Sequence, residues 1–374
     1  MGKSLLLSLP LLLIPFLTAA WPPSDSTQGR LIEWYMGTHQ ASFLRHNQKL
    51  TTQTGQWVPG LELGVQFPTN GHKNWEAAHR LPTYGLAVVG LYPGPEAHGF
   101  LTGIFPHLSL PLLRARWIQA YFRVGTGLGW TSHPHDSFKN SGENALGSYF
   151  NNITQFRFSA TVPLGSFWKW ELAGAFNHFS NGGYELPNLG MNFPGIYTGL
   201  VYAPNRNQGP ISVPSFDRSI DQKWGWTLQA GFAKLEYGAL DGPKYAQWSA
   251  TLALTRYLHR YNRVGFGLDL EQHKGLEAWI LANGNLSTLG ATRSGIFLSD
   301  EFLFGPLGIY LQAGYHVGFP QMNAALISRN FNKLALRYYW PTIRHSRVQI
   351  YTGLGLKAYK AIAECISFNI GFQG

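Results

Sequence analysis

Two side chains able to perform acyl transfer stand two residues apart in the stretch His178-Phe179-Ser180-Asn181-Gly182-Gly183. In an extended strand, residues two apart share a face at about 6.5–7 Å, so an imidazole and a hydroxymethyl group can lean into contact. His178 would then take the proton as Ser180 attacks an ester carbonyl. Any His-x-Ser on a strand offers this chemistry, so the elements around the pair must decide. Period-two alternation puts Trp168, Trp170, Leu172, Gly174, Phe176, His178 and Ser180 on one face. Lys169, Glu171, Ala173, Ala175, Asn177 and Phe179 lie on the other. In a soluble protein the first face would be core. In a membrane barrel it would look at lipid, and the nucleophile and its base would sit beside acyl chains.

Other segments repeat the two-faced pattern. Val264, Phe266, Leu268 and Leu270 alternate with Gly265, Gly267 and Asp269, and Val348, Ile350, Leu354 and Leu356 alternate with Gln349, Tyr351, Gly353, Gly355 and Lys357. Apolar residues face one way while Gly, Gln, Asp and Lys face the other, the pattern of apolar-out, polar-in barrel walls. Composition agrees: 15% of the 374 residues are aromatic, 43 are Gly, and only 13% are charged, against about 25% in soluble domains. After residue 20 no apolar run approaches the roughly 18 residues of a spanning helix. The first twenty residues, with Lys3, an apolar run from Leu5 to Leu17 and then Thr18-Ala19-Ala20, read as a signal peptide cut before Trp21. Loss of Lys3 would lower the formal charge from +10 to +9. Export makes anionic lipopolysaccharide a better partner for this basic chain than nucleic acid. Cys365 is the sole cysteine, so no intrachain disulfide is possible.

The expected fold is an all-β, antiparallel outer-membrane β-barrel of about 16 strands (12–16) spanning 21–374. Strands are expected near 30–42, 60–67, 83–92, 98–106, 116–130, 152–163, 166–180 and 194–203. A second set is expected near 224–238, 246–258, 262–271, 294–304, 307–317, 333–340, 346–357 and 361–372. With the N-terminus in the periplasm, the long connections at 43–59, 131–151, 181–193, 271–293 and 318–332 fall outside, as such barrels prefer. Two long inner connections, 68–82 and 204–223, break that rule and are expected to fold as plugs or short helices, or to mark a miscount. The Pro/Asn-rich 204–223 is the best candidate boundary, dividing a part at 30–203 from additional strands in 204–374. The last strand ends at Phe372, two residues from the C-terminus, which resembles an outer-membrane assembly signal.

The stretch His178-Phe179-Ser180-Asn181-Gly182-Gly183 followed by Pro187-Asn188-Leu189-Gly190-Met191-Asn192 resembles the active-site signature of the PagL family of lipid A 3-O-deacylases. Members of that family are eight-stranded outer-membrane barrels whose Ser-His-Glu site opens toward the outer leaflet. The signature lies on their seventh strand, as it does on the seventh strand expected here. The match is tight over about 15 residues, in keeping with a short-motif resemblance, and the first eight strands resemble the deacylase barrel in architecture. The resemblance implies a lipid A esterase with Ser180 as nucleophile and His178 as base. Asn188, with backbone amides near Asn181 and Gly183, would form the oxyanion hole, and Gly182 and Gly183 would let the backbone turn close to substrate. The family's histidine-orienting glutamate falls at Asn192. An amide can hold the imidazole tautomer but stabilises imidazolium less than a carboxylate does. Glu185, in the same loop, is a possible substitute acid. The implied partner is lipid A in the outer leaflet, with no nucleic acid, metal or organic cofactor.

Other signals carry less chemistry. His133, His135 and Asp136 could chelate a metal but lack further spaced ligands and read as a solvated loop. Gly125-Thr126-Gly127-Leu128-Gly129 lacks the strand-to-helix setting of a nucleotide loop and reads as lumen-facing small residues. Trp168, Trp170, Trp224, Trp226 and Trp248 read as bilayer or interfacial anchors. Two rival functions remain open on sequence grounds. One is an inactive structural barrel, favoured by Asn192. The other is a porin or transport channel, since sixteen strands could enclose water.

Overall fold

The computed structural model describes residues 31–52, 57–94, 99–204, 213–216, 219–220, 223–283, 291–318, 328–341, 347–359 and 362–374. The expected signal peptide lies outside them. Among the described residues there are sixteen antiparallel strands. The first eight are β1 (Glu33–Ala41), β2 (Val58–Pro68), β3 (Thr83–Gly94), β4 (Gly99–Arg114), β5 (Gln119–Thr131), β6 (Phe150–Leu164), β7 (Trp168–Ser180) and β8 (Met191–Tyr202). The second eight are β9 (Trp224–Glu236), β10 (Lys244–His259), β11 (Asn262–His273), β12 (Thr292–Phe304), β13 (Leu307–Gly318), β14 (Asn330–Tyr339), β15 (Gln349–Tyr359) and β16 (Ile362–Gln373).

The strands do not close as one ring. β8 returns to β1, with Trp34 opposite Tyr202, and β16 returns to β9, with Phe368 opposite Phe232, so the chain forms two closed barrels of eight. The residues joining them are 203–223. Alternation fixes which face of each strand turns outward but leaves open which strand closes on which. Filling decides it, because eight strands leave an interior that side chains alone can occupy. In the first barrel the fully buried Glu62 meets His39 at 2.8 Å, Gln155 at 2.8 Å, Arg157 at 3.0 Å and Arg123 at 3.3 Å. Arg157 also lies over the Tyr197 ring at 4.1 Å. The second barrel repeats the device: Glu301 takes Arg263 at 2.7 Å and Arg337 at 3.2 Å, and Arg337 lies over Tyr310 at 3.6 Å. The premise of a single wide lumen, on which the channel reading rested, is therefore corrected.

The outer walls are apolar. Phe158 is 61% exposed, Ile196 60% and Leu298 66%, while their strand neighbours Arg157, Tyr197 and Phe297 are buried. All five tryptophans expected as anchors face outward. β4 runs to Arg114, well past the expected end at 106, because the register shift next to Pro111 accommodates a residue without an N–H.

The barrels touch at both ends. At one end, the connection 69–82 carries the short helix α1 (Asn74–Ala78). There His79 Nε2 donates to the Leu303 carbonyl at 2.8 Å, and its ring lies 4.2 Å from that of Phe304. Burial pushes the His79 imidazole down, so it stays neutral at that junction. At the other end, the β9 and β16 termini meet the loop that follows β7.

Candidate active site

β7 and β8 are antiparallel neighbours in which His178 stands directly opposite Asn192. The expected strand began at 194; it begins at Met191, so Asn192 belongs to the ladder rather than to the loop. Both side chains point to the outward face. His178 Nδ1 lies 2.6 Å from Asn192 Oδ1. On the far side, Asn192 Nδ2 lies 2.7 Å from His46 Nδ1, and His46 Nε2 lies 3.0 Å from the Leu189 carbonyl. His46 escaped the sequence reading: it is 146 residues from Asn192, in the loop after β1, with no local motif.

That loop is well anchored. Ser42 and Leu44 extend the β1–β8 ladder by donating to the Pro194 and Asn192 carbonyls, each at 2.9 Å. Beyond His46, Leu50 is buried among Ala145, Leu146, Met191 and Phe193, and the Thr51 N–H donates to Asn144 Oδ1 at 3.0 Å. Gly190, at φ +78°, passes so close that a Cβ there would sit 3.0 Å from His178 Cε1.

Ser180 is 5% exposed. Its hydroxyl lies 3.1 Å from Asn188 Oδ1, while Asn188 Nδ2 donates to Oγ at 3.0 Å and the Gly182 N–H does so at 3.2 Å. Ser180 and His178 share the outward face but are not hydrogen-bonded to each other. The amides named from sequence are occupied within the loop: the Asn181 N–H donates to Asn188 Oδ1 at 3.0 Å, and the Gly183 N–H to Asn181 Oδ1 at 3.0 Å. The donors aimed at Oγ are therefore Asn188 Nδ2 and the Gly182 N–H. Asn181 Nδ2 ties the loop to Ser148 Oγ at 2.9 Å and to the Glu185 carbonyl at 2.8 Å.

The Glu185 carboxylate turns away from His178 and faces Lys244 of the second barrel at 3.8 Å. Its carboxyl is pushed up by burial, with Lys244 opposing the shift. His133, His135 and Asp136 are occupied by the loop that holds them. His133 Nδ1 meets Ser132 Oγ at 2.7 Å, His135 Nδ1 donates to the Glu143 carbonyl at 2.6 Å, and Asp136 Oδ1 accepts from the Phe138 and Lys139 amides. Those two amides hold the exposed Asp136 carboxyl below its usual range.

A polar row continues across the outer wall. Thr154 stands opposite both His178 and Thr126, and Asn152 stands opposite Ser180. Thr126, Asn152 and Thr154 satisfy one another at 2.9–3.1 Å. Below them the wall is apolar. A serine hydroxyl, a histidine held by an amide, and two N–H donors thus meet where an apolar barrel wall turns polar.

The apolar-walled barrel is a membrane-protein fold, and the families that the chain matches give its class as ester hydrolase. Residues 59–201 match the family model described as lipid A 3-O-deacylase (PagL), and residues 222–373 match that described as acyloxyacyl hydrolase, C-terminal domain. The chain belongs to this family of bacterial outer-membrane ester hydrolases. The first match lies within the first barrel, and the second takes in β9 to β16. Among solved structures, the chain is similar to the outer membrane enzyme PagL, with 15% identity, a TM-score of 0.32 and coverage of 44% of this chain and 97% of that one. It is also similar to Pseudomonas aeruginosa OccK5 (OpdH), at 8% identity and TM-score 0.22 over 92% of this chain and 97% of that one. Acinetobacter baumannii OccAB1 gives 8% identity and TM-score 0.21 over 92% and 95%. No curated protein matches.

Proposed function

We propose that this protein hydrolyses an ester-linked acyl chain of lipid A, as a 3-O-deacylase, with Ser180 as nucleophile and His178 as general base. The observation that carries the reading is the His178–Asn192 pair at 2.6 Å on the outward face, with Ser180 beside it under two N–H donors. The serine hydroxyl turns from Asn188 Oδ1 toward His178 Nε2, which takes its proton as Oγ attacks the ester carbonyl. Negative charge develops on the carbonyl oxygen and is met by Asn188 Nδ2 and the Gly182 N–H, donors of the kind that are each worth about 3 kcal/mol in acyl transfer. Collapse of the tetrahedral intermediate breaks the ester C–O bond, and His178 returns the proton to the departing sugar oxygen. Water, deprotonated by His178, then releases the fatty acid from Ser180.

The outward placement supports a substrate that is itself part of the membrane, because ester and acyl chains reach the site laterally without leaving lipid. Export with cleavage after Ala20 belongs to the same reading. The test is mass spectrometry of lipid A from cells expressing the parent or Ser180→Ala. Loss of one hydroxyacyl mass with the parent alone is expected. Unchanged lipid A with both, in barrels shown to fold, would defeat the reading and favour an inactive relative.

A further inference from the structure

We propose that His46 is a positioning residue that fixes the side-chain amide of Asn192, and through it the reactive tautomer of His178. The inference rests on the reading of His178 as general base. It starts from a group with no choice: the Leu189 carbonyl can only accept. His46 Nε2 lies 3.0 Å from it and so carries the proton. Neutral His46 then has its lone pair on Nδ1. Asn192 meets that lone pair at 2.7 Å and must present Nδ2 there. The amide is planar, so Oδ1 faces the other way, 2.6 Å from His178 Nδ1. An acceptor at that place requires His178 to carry its proton on Nδ1, which leaves Nε2 free to take the proton of Ser180. Each step follows from the hydrogen-bonding inventory of the groups in contact.

The carboxylate of the related deacylases accepts from either oxygen, so it has no wrong orientation. An asparagine does. Flipped, Asn192 would offer Nδ2 to His178 Nδ1, and the imidazole would place its lone pair where the amide donates and its proton toward the serine. His46 removes that alternative. The Leu44 carbonyl also approaches His46 Nδ1, at 3.4 Å; it would compete only for the opposite tautomer and is the longer contact. The chain closes on itself, because Leu44 N–H donates to the Asn192 carbonyl while Leu189 lies in the loop leading into β8.

The test is a cycle of purified, refolded full-length variants assayed on lipid A, with kcat and KM separated and folding checked by heat-dependent gel mobility. His46→Ala should lower kcat at least about tenfold with KM little changed, by favouring the wrong tautomer. His46→Gln should recover most of that loss, since its amide can donate to the Leu189 carbonyl and accept from Asn192. In an Asn192→Asp background, the same His46→Ala change should cost less than about twofold, because a carboxylate needs no orienting. Equal losses in both backgrounds, or no rescue by His46→Gln, would overturn the proposal while leaving the serine–histidine reading in place. A parent rate no higher than that of Ser180→Ala would overturn both.

Discussion

Glu236, the last residue of β9, grips the loop between β7 and β8 twice: its N–H donates to the Gly183 carbonyl at 3.0 Å, and its carboxylate accepts the Leu186 N–H. The second barrel thereby shapes the turn that carries the Gly182 N–H toward Ser180. Gly183 fits under that grip only without a side chain, since a Cβ there would lie 2.4 Å from the Glu364 carbonyl of β16. Glu236→Ala leaves the half-buried Leu186 amide without its acceptor, a local cost of about 1 kcal/mol. The expected result is faster hydrogen exchange at Leu186 and a lower kcat, with the barrels still closed. Glu236→Gln, which keeps an oxygen at the same place, should recover most of the rate.

Glu185 supplies a pH test with a defined sign. Its folded carboxyl is raised by burial, so the fold favours the protonated form. Stability contributed by that form is present below the ordinary carboxylate range and is lost as pH rises through the raised folded value. Glu185→Gln, which cannot ionise, should therefore match the parent in acid and equal or exceed its stability near neutral pH, as read by thermal unfolding at several pH values. Because the carboxylate faces Lys244 and not His178, the variant should keep its deacylation rate. A large loss of rate would return Glu185 to the catalytic role considered from sequence.

The sequence carried the strand pattern almost completely, because every spanning strand must hide polar side chains inside and show apolar ones to lipid. It set Ser180 and His178 on one strand face, and both lie on the outward face of β7. It misplaced the start of β8 by three residues, leaving Met191, Asn192 and Phe193 in the loop although they stand in the ladder opposite Phe179, His178 and Asn177. The resemblance brought Asn192 to His178, but that error hid the strand register that pairs them. The closure into two rings and the approach of His46 are non-local: alternation along a strand says nothing about which distant strand or loop comes back to it.

Glu62 is the negative centre of the first lumen, held by His39, Arg123, Arg157 and Gln155. Glu62→Ala would leave two guanidinium groups without their shared counter-charge, and breaking a buried pair from one side costs about 3–5 kcal/mol. The expected outcome is a lower urea midpoint for the first barrel. The second barrel, built around its own Glu301, should keep its transition, so that unfolding followed by tryptophan fluorescence separates into two steps. A single unshifted transition would mean that Glu62 is not what holds the lumen.

Gly174 lies on the outward face of β7, six residues or about 20 Å below Ser180, between Phe158 and Ile196 on the neighbouring strands. A Cβ built there meets nothing within 4 Å, so the position is a notch walled by two side chains that project toward lipid. An acyl chain whose ester sits at Ser180 and whose tail runs into the bilayer along β7 would cross this notch. Gly174→Trp should fill it without touching the fold, because the wall there has no packed neighbour to displace. The barrel should melt as the parent does and hydrolyse short-chain esters at the parent rate, while hydrolysis of esters with long acyl chains should fall several-fold through KM, since the lost contact is one that substrate and transition state share. Equal rates on short and long chains would place the acyl tail on another strand. Phe156 and Phe176, the outward-facing cross-strand pair between Gly174 and His178, would then be the next positions to enlarge.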